Sequence, residues 1–237
     1  MEQQTPDTSR QPSKQTLAIA VGLALVMLLI AIGLVRIGSR PATTVSATLN
    51  ALDEGNQRFA AGHAKHPDQS RRRRAALAHG QDPRAIVLAC SDSRVPPEIV
   101  FDVGLGDLFV VRTVGHALDP IATASIAYGV EKLNVPLIIV LGHTGCGSLR
   151  DAIDNANTAP ADQGVLAPLY AKLMPAVRLA QNQPGDQVTN AIAAHLHLTM
   201  GELSTGDTII GQRIRGAQVR LAGALYDVNT GLVEWVR

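Results

Sequence analysis

The chain has 237 residues, 46% of them apolar, and a formal net charge of +1. That balance, with only three Phe, three Tyr and one Trp, offers neither the basic surface nor the stacking rings that nucleic-acid binding needs. Two cysteines are too few for a disulfide framework, so a small disulfide-stapled secreted domain is excluded as well.

In chain order, residues 1–16 form a polar tail. Residues 17–35 then run nineteen positions without a charge, flanked by Arg10 and Lys14 before and by Arg36 and Arg40 after, long enough to cross a bilayer as a helix. No polar face interrupts the run, which makes a soluble core helix a poor reading. Two alternatives stand, a retained anchor or a signal segment cleaved after the small-residue triplet Val45-Ser46-Ala47. The run is longer than an ordinary signal core and two arginines separate it from that triplet, which favours the anchor. Basic residues on both sides give only a slight preference for an inside amino terminus, placing the rest of the chain outside the inner membrane, in a periplasm. The expected divisions are a tail at 1–16, a span at 17–35, a linker at 36–46 and one domain at 47–237.

That domain, about 190 residues, is a comfortable size for a single core. A helix is predicted at 69–79, and its Arg71-Arg72-Arg73-Arg74 run reads as a solvated face that also suits anionic lipid or a partner subunit. Strands are predicted at 85–89, 108–112, 137–141, 218–225 and 232–236. The first three are nearly unbroken apolar runs, as in a buried parallel sheet. A helix at 122–133 bridges two of them. Val188, Ile192, His195, Leu196, Thr199 and Leu203 recur at helical spacing before Gly206, so His195 and His197 read as packing or surface residues. The pattern implies an α/β fold, a short parallel sheet with helices on its faces.

Both cysteines come directly after such strands. Cys90-Ser-Asp92-Ser-Arg94 succeeds the run at 85–89, and His143-Thr-Gly-Cys146 succeeds the run at 137–141. Either cluster alone fits a small buried thiol or a satisfied core histidine equally well. Parallel strands, however, deliver side chains to the crevice at their carboxyl ends, where α/β sheets bind ligands. Cys90, Asp92, His143 and Cys146 together offer the thiolate, imidazole and carboxylate donors that zinc takes in a tetrahedron. The displaceable carboxylate, with Arg94 two residues away, suggests a position that water can take. An ordinary ion pair in a loop is the alternative for Asp92 and Arg94.

Cys-Ser-Asp-Ser-Arg-Val-Pro-Pro-Glu (90–98), Gly-Asp-Leu-Phe-Val-Val-Arg (106–112) and Gly-His-Thr-Gly-Cys-Gly (142–147) resemble the signature segments of the β-class carbonic anhydrases. The likeness runs from about residue 47 to the end and includes Glu54-Gly-Asn-Gln-Arg-Phe59 and Gly223-Ala-Leu-Tyr-Asp-Val-Asn-Thr-Gly231. The resemblance implies a parallel sheet with an added antiparallel strand, and a homodimer or higher homo-oligomer with its metal sites near the interface. It implies one Zn2+ per chain held by Cys90, His143 and Cys146. Asp92 either fills the fourth position or swings away to pair with Arg94, and these two form the catalytic dyad. The implied activity is reversible hydration of carbon dioxide to bicarbonate and a proton.

The chain departs from the family at Val103, where relatives often carry a glutamine thought to touch substrate, at Thr113 and His116 within Arg112-Thr-Val-Gly-His116, and at Ala127. His116 is a candidate proton carrier, or merely a solvated loop residue. Two other activities remain open: hydrolysis of a related small molecule such as carbonyl sulfide or carbon disulfide, and non-catalytic zinc or bicarbonate binding at a membrane.

Overall fold

The computed structural model describes residues 44–157, 159 and 162–236. The predicted span at 17–35 lies outside them. Among the described residues, no helix is long and apolar enough to cross a membrane.

Thr44 caps the first helix, α1 (Val45–Ala60), its hydroxyl accepting from the Ala47 N–H. The helix thus opens ahead of the expected boundary at 47, and its first turn contains the Val45-Ser46-Ala47 triplet. Ser70 caps the short helix α2 (Arg71–Ala76), which occupies only the middle of the predicted 69–79. Next come β1 (Ala85–Cys90), α3 (Pro97–Val100), β2 (Leu108–Thr113), α4 (Pro120–Glu131) and β3 (Leu137–His143). The remainder is α5 (Gly147–Asp154), α6 (Ala167–Ala180), α7 (Gln187–Thr205), α8 (Ile209–Arg215), β4 (Arg220–Tyr226) and β5 (Val233–Val236).

The sheet order is β2-β1-β3-β4-β5. The first four strands are parallel, and β5 pairs antiparallel with β4. Every residue of β1 and β3 is buried. Alternation along them sends Ile86, Leu88, Ile138 and Val140 to one face, under Ile126, Leu196 and Ile210. Val87, Ala89, Ile139 and Leu141 go to the other, under Leu52, Val100 and Phe101. Two covered faces explain why these strands carry no polar side chain before their last residues, Cys90 and His143. Each such Ile or Leu contributes about 1.5–3 kcal/mol by leaving water.

The Glu54-to-Phe59 motif ties the first described helix to the segment around the last strand. Gly55 lets α1 meet the α3 turn, since a Cβ there would sit 1.9 Å from the Phe101 carbonyl oxygen. Asn56, 2% exposed, donates to the carbonyls of Val100 at 3.1 Å and Gly231 at 2.8 Å, and its Oδ1 accepts from the Val233 N–H at 2.8 Å. Arg58 Nε binds the Asp102 carboxylate at 2.7 Å, and Asp102 also accepts from the Lys65 and His66 N–H groups. Truncating the amide strands three backbone groups, at least one of them buried. Asn56→Ala should therefore lose about 3 kcal/mol of unfolding free energy in urea. A loss below about 1 kcal/mol would show that the clamp does not hold the domain together.

Candidate metal centre

Neighbouring parallel strands β1 and β3 end on the same edge of the sheet, and their last residues are Cys90 and His143. Beyond β3 the chain turns through Thr144 and Gly145, the latter at φ +63, and sets Cys146 at the N-cap of α5. The ligand atoms of Cys90, His143 and Cys146 lie within 4.8 Å of one another, and the three residues are 4%, 1% and 2% exposed.

Their chemistry fits a borderline-soft divalent ion. His143 Nδ1 faces the Thr144 carbonyl at 3.0 Å and must donate to it, which leaves the lone pair on Nε2. Nε2 is buried with no hydrogen-bond partner, the state of an imidazole prepared to ligate. The thiols share a hydrogen bond that pushes Cys90 up to about 12, with burial adding to it, and pulls Cys146 down to about 6, with the Ser148 hydroxyl helping. A divalent cation held there would take both sulfurs as thiolates and release their protons. Donors already surround the sulfurs. The N–H groups of Gly115 and Asp92 reach Cys90 Sγ at 3.3 and 3.4 Å, and Ser148 Oγ lies 3.2 Å from Cys146 Sγ.

Of the four predicted ligands, the structure brings three together and turns the fourth away. Asp92 forks onto Arg94, with Nε to Oδ1 at 2.9 Å and Nη2 to Oδ2 at 2.7 Å, and the Arg94 N–H adds a bond of 2.9 Å to Oδ1. The Arg94 guanidinium holds the carboxyl at about 2. It also donates to the Gly145 carbonyl at 3.2 Å, which joins the two ligand-bearing loops. Arg112, to which the sequence assigned no role, donates to the Cys90 carbonyl at 2.9 Å and the Asp92 carbonyl at 2.6 Å. Its signals were its place near the end of an apolar strand and in the 106–112 segment.

His116 requires a correction. It is 1% exposed, at φ +45, and neither ring nitrogen has a partner. A carrier must exchange protons with solvent. Burial first, then the charges of His195 and His143, hold the His116 pKa well below the usual range, so it is neither a solvated loop residue nor suited to relay protons. His195 is a packing residue as expected, but at this site: its ring centroid lies 4.6 Å from that of His116. His197 is exposed. Val103 is buried in the core cluster with Phe101, Ala127 packs against the opposite one, and Thr113 Oγ1 donates to the Ala117 carbonyl.

The family model for carbonic anhydrase matches residues 85–233, which hold the three-residue cluster and the Asp92–Arg94 pair. The chain is 41% identical over 191 residues to carbonic anhydrase 2 of Mycobacterium tuberculosis, an alignment spanning 81% of this chain and 92% of that one. This chain belongs to the β-class carbonic anhydrase family. The β-carbonic anhydrase CcaA superposes with a TM-score of 0.63 at 28% identity over 80% of this chain and 95% of its own. A tetrameric β-carbonic anhydrase from Sordaria macrospora shares the fold, with a TM-score of 0.62 at 23% identity over 80% and 96% of the two chains.

Removing one sulfur leaves a two-ligand site. Cys146→Ser should abolish zinc in the purified chain by metal analysis, and stoichiometric zinc in that variant would overturn the ligand assignment.

Proposed function

We propose that the chain is a membrane-anchored zinc enzyme that reversibly hydrates carbon dioxide. The observation that carries this reading is the fork of Arg94 on Asp92 beside a buried two-thiol, one-imidazole cluster. A structural zinc site needs no such dyad, and this speaks against a non-catalytic zinc protein. Val103, packed in the core, gives no ground for a sulfur-containing substrate.

Cys90, His143 and Cys146 would hold the ion. Zinc, when bound, supplies the Lewis acidity that makes hydroxide available near neutrality, as is known for the three-histidine carbonic anhydrases. Asp92 accepts a hydrogen bond from the nucleophile and orients it toward substrate. Its carboxyl, held at about 2, stays ionised across the working range and does not store the proton. Arg94 keeps Asp92 off the metal, and with His116 sealed away, the proton passes directly to buffer.

In stopped-flow carbon dioxide hydration, wild-type activity should rise from pH 6.5 to 9, a slope that titration of Asp92 cannot produce. Arg94→Ala should keep its zinc and lose about 100-fold in rate. A loss below twofold would remove the dyad from the mechanism.

Assembly into a homo-oligomer is part of this reading. Strand β2 is a sheet edge among the described residues, and Val114, Ile121 and Tyr128 nearby are exposed, Ile121 by 75%.

The anchor rests on the uncharged run at 17–35. Cleavage after Ala47 would remove the Thr44 cap and Val45, which packs against the core, and this favours retention. The zinc domain faces the periplasm, where metal ligation protects both thiols. The full-length chain should sediment with membranes and resist carbonate extraction, and protease added to spheroplasts should digest the domain. A mature protein beginning near Thr48 would overturn the anchor, and protection from protease would overturn the orientation.

A further inference from the structure

Helix α7 presents a histidine behind the metal centre. His195 is 2% exposed and lies on the helix's buried stripe with Val188, Ile192, Leu196 and Leu203. A polar ring there costs free energy unless it is hydrogen-bonded. Its Nε2 sits 2.9 Å from the Gly115 carbonyl oxygen. A carbonyl only accepts, so Nε2 carries the ring proton. Burial pushes the His195 pKa down to about 4, so the ring is a neutral donor at working pH.

The acceptor belongs to an unusual turn. Gly115 and His116 both have positive φ, +64 and +45. The turn is also tightly enclosed, for a Cβ on Gly115 would lie 2.7 Å from Ser148 Oγ and 3.3 Å from Leu173. Two successive residues in this region, one of them not glycine, persist only where surroundings fix them. The turn also donates the Gly115 N–H to Cys90 Sγ at 3.3 Å.

We propose that His195 is a positioning residue for the metal centre: by holding the Gly115 carbonyl, it fixes the left-handed turn that aims the Gly115 N–H at the Cys90 sulfur. Without it the carbonyl is orphaned and the turn relaxes. The sulfur then loses a donor and becomes more electron-rich. The inference rests on the metal-binding reading and not on the substrate.

The test uses the full-length chain loaded with zinc or with cobalt. His195→Leu should still bind one ion per chain, release zinc to a chelator roughly 10- to 100-fold faster, and shift the thiolate-to-cobalt charge-transfer band to lower energy. His195→Gln, which keeps a donor at similar reach, should restore both. His197→Gln, on the exposed side of the same helix, should match wild type. A wild-type band and release rate in His195→Leu would overturn the proposal, as would failure of His195→Gln to restore them. Should His195→Leu not fold, the imidazole 15N–1H spectrum of the wild-type zinc form decides. A proton on His195 Nε2 supports the role, and one on Nδ1 overturns it. Failure of the carbonic anhydrase reading would look different: the thiolate–cobalt band would still shift in His195→Leu while carbon dioxide hydration was absent from the wild type.

Discussion

The parallel pairing of β1 with β3 is the constraint on which the site depends. Ile86 faces Ile138 and Ala89 faces Leu141, so the two strands finish together with Cys90 and His143 on one edge. The register is held by apolar residues on both faces, and a one-residue slip would turn every one of them to the wrong side. The same burial that fixes the strands also removes water from the two sulfurs and the imidazole. Position and desolvation therefore have a common cause.

Desolvated thiolates need compensating donors, and the loops around them are built to supply these. Gly115 and Asp92 offer backbone N–H groups to Cys90, and Ser148 faces Cys146. The Asp92 loop is braced from two directions, by Arg112 on its carbonyls and by Arg94 on its carboxylate. Arg94 is the more exposed of that pair, 52% against 17% for Asp92. The Asp92–Arg94 pair is thus open to solvent, while Cys90, His143 and Cys146 are buried.

Much of this was legible in the sequence because strong local signals and the tertiary arrangement agree. Continuous apolar runs marked β1, β2 and β3, and the ligand clusters at the ends of β1 and β3 accord with the strand-end rule. Helices α1, α5, α6 and α8 left weaker traces. In α1 polar Asn56 and Thr48 are among the buried residues, so the apolar stripe is broken. In α6 Pro175 stands inside the helix, where propensity argues against it and packing of Tyr170, Leu173 and Val177 prevails. His116 misled because its surroundings come from distant segments: a loop histidine usually meets water, and this one meets His195, which is remote only in sequence. His195 itself was visible as a polar interruption of an apolar stripe, yet its partner, a backbone carbonyl in a left-handed turn, has no local sequence signature.

The Asn56 clamp has a consequence for the order in which this protein can be completed. Its amide joins α1 to Gly231 and Val233, across 175 and 177 positions. The metal ligands are all present once residue 146 has been made, but α6 and α7, which supply most of the apolar cluster around Cys90 and Cys146, and the strand that completes the clamp all come later in the chain. Contacts of such long separation form late and slowly. During synthesis there is thus an interval in which both thiols exist without their shelter. Early capture of the ion would then act as a chemical guard as well as a cofactor, holding the sulfurs apart from oxidants until the later helices dock.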